Sequence, residues 1–478
     1  MRVPHTVSKL LVELHTPSPE CLDLIGEDQR QILAEDLNWN NGEVPTLVDL
    51  CVKKIAEKFE ERPYFDELPC EDRDHLLELI STNLPLEMAI PLINDEYYWK
   101  RRYDDHFGVI TYRKPFPWQW KSLYIEREVR RIIEHAEPQY ADEESMDILD
   151  LCAPYVKRLF VTQLQLWKPP LTIEKEDIPD EWPIDHINFT FITPKLPLIE
   201  EFDIIFGMND VKEDFNWNMF KITVSDCQRL GKAILDLKLL KVLRIHKSNI
   251  EDKHCQALMQ NLIKNKTIVV LDLSNCKIGD QGTLCIAKVL MNHPTLRKLI
   301  LTNNLIGQIG AEGLGYGLIQ DTCPPLESLI LRLNPLGHAG VMGILRALVR
   351  CSFPTELSLS SCLFEDETPE KISKVLNWND TLQVLDVSNN WFGEYGGDLM
   401  VESLKDNTSL LWLDMRETDI TPQQNMLIRK YLLRNRNDSV EEDEASIVES
   451  EEQTGEDQDE EVMEESIEDV HENVEEME

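Results

Sequence analysis

From Leu240 to Ile420 the apolar positions follow one pattern written seven times, L-x-x-L-x-L-x-x-N-x-I in one-letter code. Its clearest copies are Leu296, Leu299, Leu301, Asn304, Ile306 and Leu382, Leu385, Val387, Asn390, Phe392. The copies begin at Leu240, Ile268, Leu296, Leu326, Pro354, Leu382 and Leu410, a period of 28 residues with one interval of 30. Within each copy the fourth and sixth positions alternate as in a short strand, so Leu271 with Leu273, or Leu329 with Leu331, point to one side. Behind each strand the period changes. Leu284, Ile286, Ala287, Val289 and Leu290, and later Val341, Ile344, Leu345, Leu348 and Val349, form an apolar face at helical spacing.

The ninth position is Ser248, Cys276, Asn304, Asn334, Cys362, Asn390 and Thr418. The chain turns there, and a small polar or thiol side chain can bond the backbone groups that the turn leaves unpaired. Cys276 and Cys362 therefore read as turn fillers rather than nucleophiles. Asp280, Asp366 and Thr421 stand where helix caps are expected. No repeat can bury its apolar face alone, so neighbours must stack. The fold class is α/β: a leucine-rich repeat solenoid with 28-residue repeats of the ribonuclease-inhibitor-like kind. Its seven adjacent strands predict a sheet on the order of 34 Å long.

Residues 1–168 predict an all-α N-terminal region with helices near 29–37, 44–61, 71–80, 86–107, 118–137 and 145–167. Residues 169–198 are proline-rich and predict a linker. Residues 199–437 make the repeat domain. Ile199, Phe202 and Ile204 fit the first half of the template. They predict an atypical first repeat with its strand at 199–206, an inserted turn around 210–218 and a helix at 226–237. The last helix, 421–436, is expected to bury Met426, Ile428, Leu432 and Leu433 and close the stack. Its Arg429, Lys430, Arg434 and Arg436 suit a helix C-terminus.

Charge alters this picture at one end. The chain carries a formal net charge of -40, and residues 438–478 hold 21 of its 88 acidic residues with no Lys or Arg. That segment predicts a disordered acidic tail, acting as a solvating segment or as a competitor for basic surfaces. An acidic balance in the remainder argues against nucleic acid as the main partner. Eleven cysteines without a C-x-x-C point to a reducing compartment. No secretory signal or membrane span is evident, so no membrane partner is expected. No phosphate-binding loop, zinc-protease helix or nucleophile elbow is present. Gly310, Gly313, Gly315 and Gly317 lie in a repeat's helix rather than between a strand and a phosphate. The sequence predicts no enzyme, cofactor or metal.

Two regions are candidates for binding. One is the outward strand face, with Arg244, His246, Asp272, Arg297, Ile300, Ile330, Arg332, Asp386, Asp414 and Arg416, which Trp412 extends or which it leaves for the end cap. Its apolar pair amid charges suits a protein partner, against a merely solvated sheet face. The other is the basic-aromatic run at 96–103, with Trp99, Arg101 and Arg102, echoed at 113–121. It suits an acidic partner such as a tubulin tail, or RNA; the alternative is that its aromatics are core.

The segments Asn83-Leu84-Pro85-Leu86-Glu87-Met88-Ala89 and Leu92-Ile93-Asn94-Asp95-Glu96-Tyr97-Tyr98-Trp99 carry a more definite likeness. So do Trp120-Lys121 with Glu126-Arg127, Leu149 to Arg158, and Phe215-Asn216-Trp217-Asn218 ahead of Asp226-Cys227. With the repeats in order, the chain resembles the dynein regulatory complex subunit 5 (T-complex-associated testis-expressed protein 1) family over roughly residues 30–437. The resemblance implies a structural part of the nexin link in the axoneme of motile cilia and sperm flagella. The expected partners are other subunits of that complex and doublet microtubules, and the expected location is the cytoskeleton. The acidic tail is not a mark of that family. Ran-type GTPase-activating proteins share repeats followed by an acidic tail and form the alternative, with a generic protein-binding scaffold as a third. The N-terminal helical third separates the first reading from both.

Overall fold

The computed structural model describes residues 46–65, 67–108, 119–136, 143–165, 185–208, 220–364 and 367–436. The expected helix at 29–37, the cap expected at Asp366, most of the proline-rich stretch, the inserted turn at 210–218 and the acidic tail lie outside them. The chain divides into two compact units, one ending at Glu128 and the other beginning at Val129.

The first unit is helical: α1 Leu47–Glu57, α2 Cys70–Leu79, α3 Leu86–Leu92, α4 Glu96–Phe107 and the first half of α5, Trp120–His135. Thr46 and Asp49 bond each other's backbone N–H groups and fix the start of α1. The single helix expected over 86–107 is two. Pro91 sits in the last turn of α3, and the Asp95 side chain accepts from the Tyr98 N–H to start α4 afresh.

The second unit is the repeat stack. Among the described residues nine strands lie side by side in chain order, all parallel: β1 Arg158–Val161, β2 Glu201–Ile204, β3 Val242–Ile245, β4 Val270–Asp272, β5 Lys298–Ile300, β6 Ser328–Ile330, β7 Glu356–Ser358, β8 Val384–Asp386 and β9 Trp412–Asp414. Fourth-position residues pair in register, Leu243 with Leu271 and Leu271 with Leu299, so each apolar layer continues the one before. The helices that return the chain are α7 Val224–Asp236, α8 Asp252–Leu262, α9 Asp280–Leu290, α10 Gln308–Leu318, α11 Gly337–Leu348, α12 Thr368–Leu376, α13 Gly393–Asp406 and α14 Pro422–Arg436. Before β1 stands α6, Glu143–Cys152.

β1 departs from expectation. The helix read over 145–167 ends at Cys152, and a strand follows that pairs Leu159 with Phe202. Val156, Leu159 and Val161 occupy the first, fourth and sixth template positions, and all three are buried. Glu134 holds this strand in place by accepting from the Thr162 N–H at 2.6 Å, while Arg130 pairs with Glu134 at 2.8 Å.

Six of the seven ninth-position side chains reach back one repeat, whereas Thr418 Oγ1 donates to Met415 O of its own repeat. Asn304 Nδ2 donates to Leu273 O and Leu301 O, and Asn334 Nδ2 donates to Leu301 O and Leu331 O. Asn334 Oδ1 accepts from the N–H of Asn304 and of Ile306. Cys276 and Cys362 donate their thiols to Ile245 O and Leu331 O. Burial pushes both thiols up to about 12, so neither is a thiolate near neutrality. The residue before each of these positions has left-handed backbone in all seven repeats, from Lys247 at φ 50° to Leu333 at φ 60°. Three of the seven are asparagine, a residue that tolerates this conformation.

Asp280 does not cap its own helix. α9 begins after Gly279, and the Asp280 carboxylate instead accepts from the N–H groups of Gly307 and Gly310, at the start of α10, each at 2.8 Å. Asp252 does the same for Gly279 and Gly282. Gly310 is glycine because a Cβ there would stand 2.8 Å from that carboxylate. Each aspartate thus cancels the N-terminal charge of the next repeat's helix and ties two repeats together. Asp280→Ala is expected to lower stability by about 1–2 kcal/mol. A thermal melt indistinguishable from that of the parent protein would contradict the arrangement. Thr421 does cap: its hydroxyl accepts from Gln424 N, and Gln424 Oε1 accepts from Thr421 N.

The glycines of α10 serve packing. A Cβ on Gly315 would lie 2.3 Å from Gly343 O, and one on Gly343 would lie 2.8 Å from Glu312 Cα. α10 and α11 therefore approach backbone to backbone. At the far end, α14 buries Gln424, Ile428, Leu432 and Leu433, but Met426 is 74% exposed. The expected closure by Met426 does not occur, because that residue falls on the outer side of the helix.

Candidate functional site: the open sheet face

Strand alternation puts the fourth and sixth template positions inside, which leaves the third, fifth and seventh on the open face. Toward both ends of that face the charges are paired within the sheet. Arg244 lies 3.6 Å from Glu201, and His246 Nε2 lies 2.7 Å from Asp203. Arg416 grips Asp414 through Nε and Nη2, at 3.0 and 2.6 Å. Burial pushes the Asp414 carboxyl up, but the Arg416 bonds and charge outweigh it and hold the group below the usual carboxylate range.

The middle of the face is different. Ile300 and Ile330 are side by side in register and half-buried. Arg332 is exposed, and its side chain has no ion-pair partner among the described residues. Asp386 accepts from Ser358 Oγ and from Ser388 Oγ, each at 2.7 Å, and Asp272 accepts from Ser274 N at 2.9 Å. These bonds fix the carboxylates from within the sheet. A shallow basin of about 490 Å³ results, lined by Ile300 and Ile330 together with Asp272, Glu356, Asp386, Arg332 and Trp412. Over Ser328 the Lys298 ammonium reaches Glu356 at 3.5 Å, spanning three strands.

Such a surface can hold an apolar segment flanked by charges of both signs. It offers no activated nucleophile, and among the described residues no cluster of His, Cys, Asp and Glu could hold a metal ion. Among the described residues no helix is long and apolar enough to cross a membrane.

The structure brings Arg244, His246, Ile300, Ile330, Arg332, Trp412 and Arg416 to this face. Arg297 is displaced from it. It precedes β5 at the rim, where it lies 3.7 Å from Glu327, its counterpart in the next repeat. Lys298, one residue on, takes the place that was read for Arg297. Also missed were Ser358, Ser360 and Ser388, which counting every third, fifth and seventh position would have found. A row of exposed apolar residues on the turns was missed as well: Leu305, Leu333, Leu363 and Trp391, at 49 to 65% exposure. Leu305, Leu363 and Trp391 are the tenth residues of their repeats, and Leu333 is the eighth of its own.

Trp99, Arg101 and Arg102 are not available to a partner. Trp99 is fully buried, donates its Nε1–H to Ile93 O at 2.9 Å, and lies 5.4 Å from the Tyr124 ring. Arg102 is 4% exposed, donates to Leu84 O at 2.7 Å, and stacks its guanidinium 4.9 Å from that same ring. Arg101 donates to Leu77 O and Ile80 O and so caps the end of α2. Interleaved cations and aromatics here make a core in which each guanidinium is satisfied by carbonyls and ring faces. Of the echo at 113–121, residues 113–118 lie outside the described set, and Lys121 is buried with its ammonium on Ile90 O at 2.7 Å. Trp99→Ala is expected to cost about 3–5 kcal/mol. Intact cooperative melting of that variant, with only a binding defect, would contradict the core assignment.

A family model described as Leucine Rich repeat matches residues 264–287. The chain is similar to curated proteins named Dynein regulatory complex subunit 5. That of Mus musculus is 31% identical over 233 residues, 47% of each chain. That of Homo sapiens is 31% identical over 236 residues, covering 47% of this chain and 46% of its own. That of Chlamydomonas reinhardtii is 28% identical over 209 residues, 44% of this chain and 49% of its own. The chain spans about half the length of the curated relatives it matches. The aligned stretches are shorter than the span read from the motifs.

Proposed function

We propose that this chain is a non-enzymatic scaffold subunit of a dynein regulatory complex. On this reading it serves in the nexin link that joins neighbouring outer doublets of motile cilia and flagella and conveys control to dynein. The observation that carries the reading is its similarity to regulatory subunits from two mammals and an alga. A stack whose repeats are tied by buried asparagines and by inter-repeat carboxylates suits a stiff support. The open face around Ile300, Ile330 and Arg332 is then the docking surface for another subunit, with doublet microtubules as further partners and the axoneme as its place. Arg244, His246 and Arg416 are already paired and serve chiefly to set register and exclude wrong charges.

Fractionation of demembranated axonemes in rising salt tests the reading. The protein is expected to stay with the doublets through moderate salt and to be lost from mutants that lack the nexin link. A protein found only in the soluble fraction, and absent from axonemes, would overturn it.

A further inference from the structure

Among the described residues the last repeat has an uncovered end, where β9 pairs on one side only. Its Leu413 is half-buried, whereas the matching residues from Leu243 to Leu385 are buried. On α14, Met426 is 74% and Leu427 41% exposed. The same helix holds Arg429, Lys430, Arg434 and Arg436 and no carboxylate. Lys430 is exposed, without an ion-pair partner among the described residues. Apolar ends of repeat stacks need a cover with a polar outer side, and α14 supplies only part of one.

We propose that residues 463–477 of this chain's own acidic C-terminal segment dock on the outer face of α14. Three features of the chain converge there. The first is place: the segment starts at Asn437, directly after α14, and 26 residues separate Arg436 from Met463. A chain of that length reaches up to about 85 Å, ample to fold back over its own last helix. Tethering also gives it an effective concentration near millimolar, so a weak contact suffices.

The second is pattern. Met463, Ile467, Val470, Val474 and Met477 follow one another at intervals of four, three, four and three residues. That spacing gathers them on one side of a helix, and the residues between them are mostly Glu and Asp with no Lys or Arg. Alone, such a composition has too little apolar surface to fold. The exposed Met426 and Leu427 supply what it lacks.

The third is charge. α14 carries four cations, and residues 437–478 carry 21 carboxylates with no Lys or Arg. Glu417 and Asp419 lie just before α14, and Arg434 already donates to Leu404 O, Lys405 O and Asn407 O, so the attraction centres on Lys430. Carboxylates there also complement the C-terminal cations rather than the helix end itself.

The test is hydrogen–deuterium exchange on the full-length chain. It compares the parent with a variant carrying Met463→Asp, Ile467→Asp, Val470→Asp and Val474→Asp, which removes the stripe, keeps the length and adds four carboxylates, so that a loss of docking cannot come from lost charge. The amides of 424–436 are expected to exchange about tenfold faster in the variant, through local opening. Met426→Asp with Leu427→Asp, on the other surface, is expected to have the same effect, and Ser446→Asp with Thr454→Asp none. Equal exchange in the parent and the fourfold variant would overturn the proposal. So would protection that grows with protein concentration, which would assign the face to a second copy of the chain.

Discussion

Replacing Asn334 by leucine is expected to lower the melting temperature of the repeat unit by roughly 10 °C or more. The side chain is buried at 1% exposure, donates to carbonyls of two repeats and accepts from the N–H groups of Asn304 and Ile306. Leucine fills a similar volume but leaves both amides without acceptors. Each buried group left unsatisfied costs about 1–3 kcal/mol, and orphaned amides are rarer than orphaned carbonyls. The sum, about 4 kcal/mol, is a large part of an ordinary domain's stability. The chain provides its own control, because Cys276 and Cys362 do the corresponding task with a thiol. Asn334→Cys should therefore melt well above Asn334→Leu. If the two variants melt together within about 2 °C of the parent, the asparagine ladder is not what ties the repeats.

The second large effect is on binding. Ile330→Asp together with Arg332→Glu is expected to weaken capture of the regulatory complex from axonemal extract by about a hundredfold. Residues at the centre of such a patch contribute about 2 kcal/mol each, a factor of roughly thirty apiece before coupling is counted. Both are outward-facing, Ile330 half-buried and Arg332 exposed, so the fold should be untouched and the thermal melt unchanged. Arg244→Glu should have a smaller effect, because its guanidinium already lies 3.6 Å from Glu201. Capture at parental strength by the double variant would move the docking surface elsewhere, with the apolar row at Leu305, Leu333, Leu363 and Trp391 next to be examined.

The repeats were legible because their burial is local. Leu299 is inside for the same reason as Leu271, and the period states that reason seven times. β1 escaped because its neighbours in the stack are not 28 residues away. Val156 stands 43 residues before Ile199, which stands 41 before Leu240, so the template was present but the period was not. Asp280 was found as a capping residue, yet its helix was misassigned. A cap that acts across repeats depends on Gly310 being in reach, which is a fact of stacking rather than of local sequence. The basic-aromatic run at 96–103 failed in the opposite sense. Composition alone cannot distinguish cations offered to a partner from cations satisfied by Leu77, Ile80 and Leu84 carbonyls. On the sheet face, Arg297 and Lys298 are adjacent, and one residue of register decides which of them looks outward.

Cross-linking of intact axonemes followed by mass spectrometry of lysine pairs tests the central claim most directly. Lys298 projects from the open face, whereas Lys232, Lys253, Lys288 and Lys374 are exposed on the helices. If the sheet face is where this chain holds its complex, Lys298 should join to other regulatory subunits, and the join should vanish in the Ile330→Asp, Arg332→Glu variant. Cross-links to those subunits that fall on the helix lysines alone, with Lys298 joined to nothing outside the chain, would contradict the account.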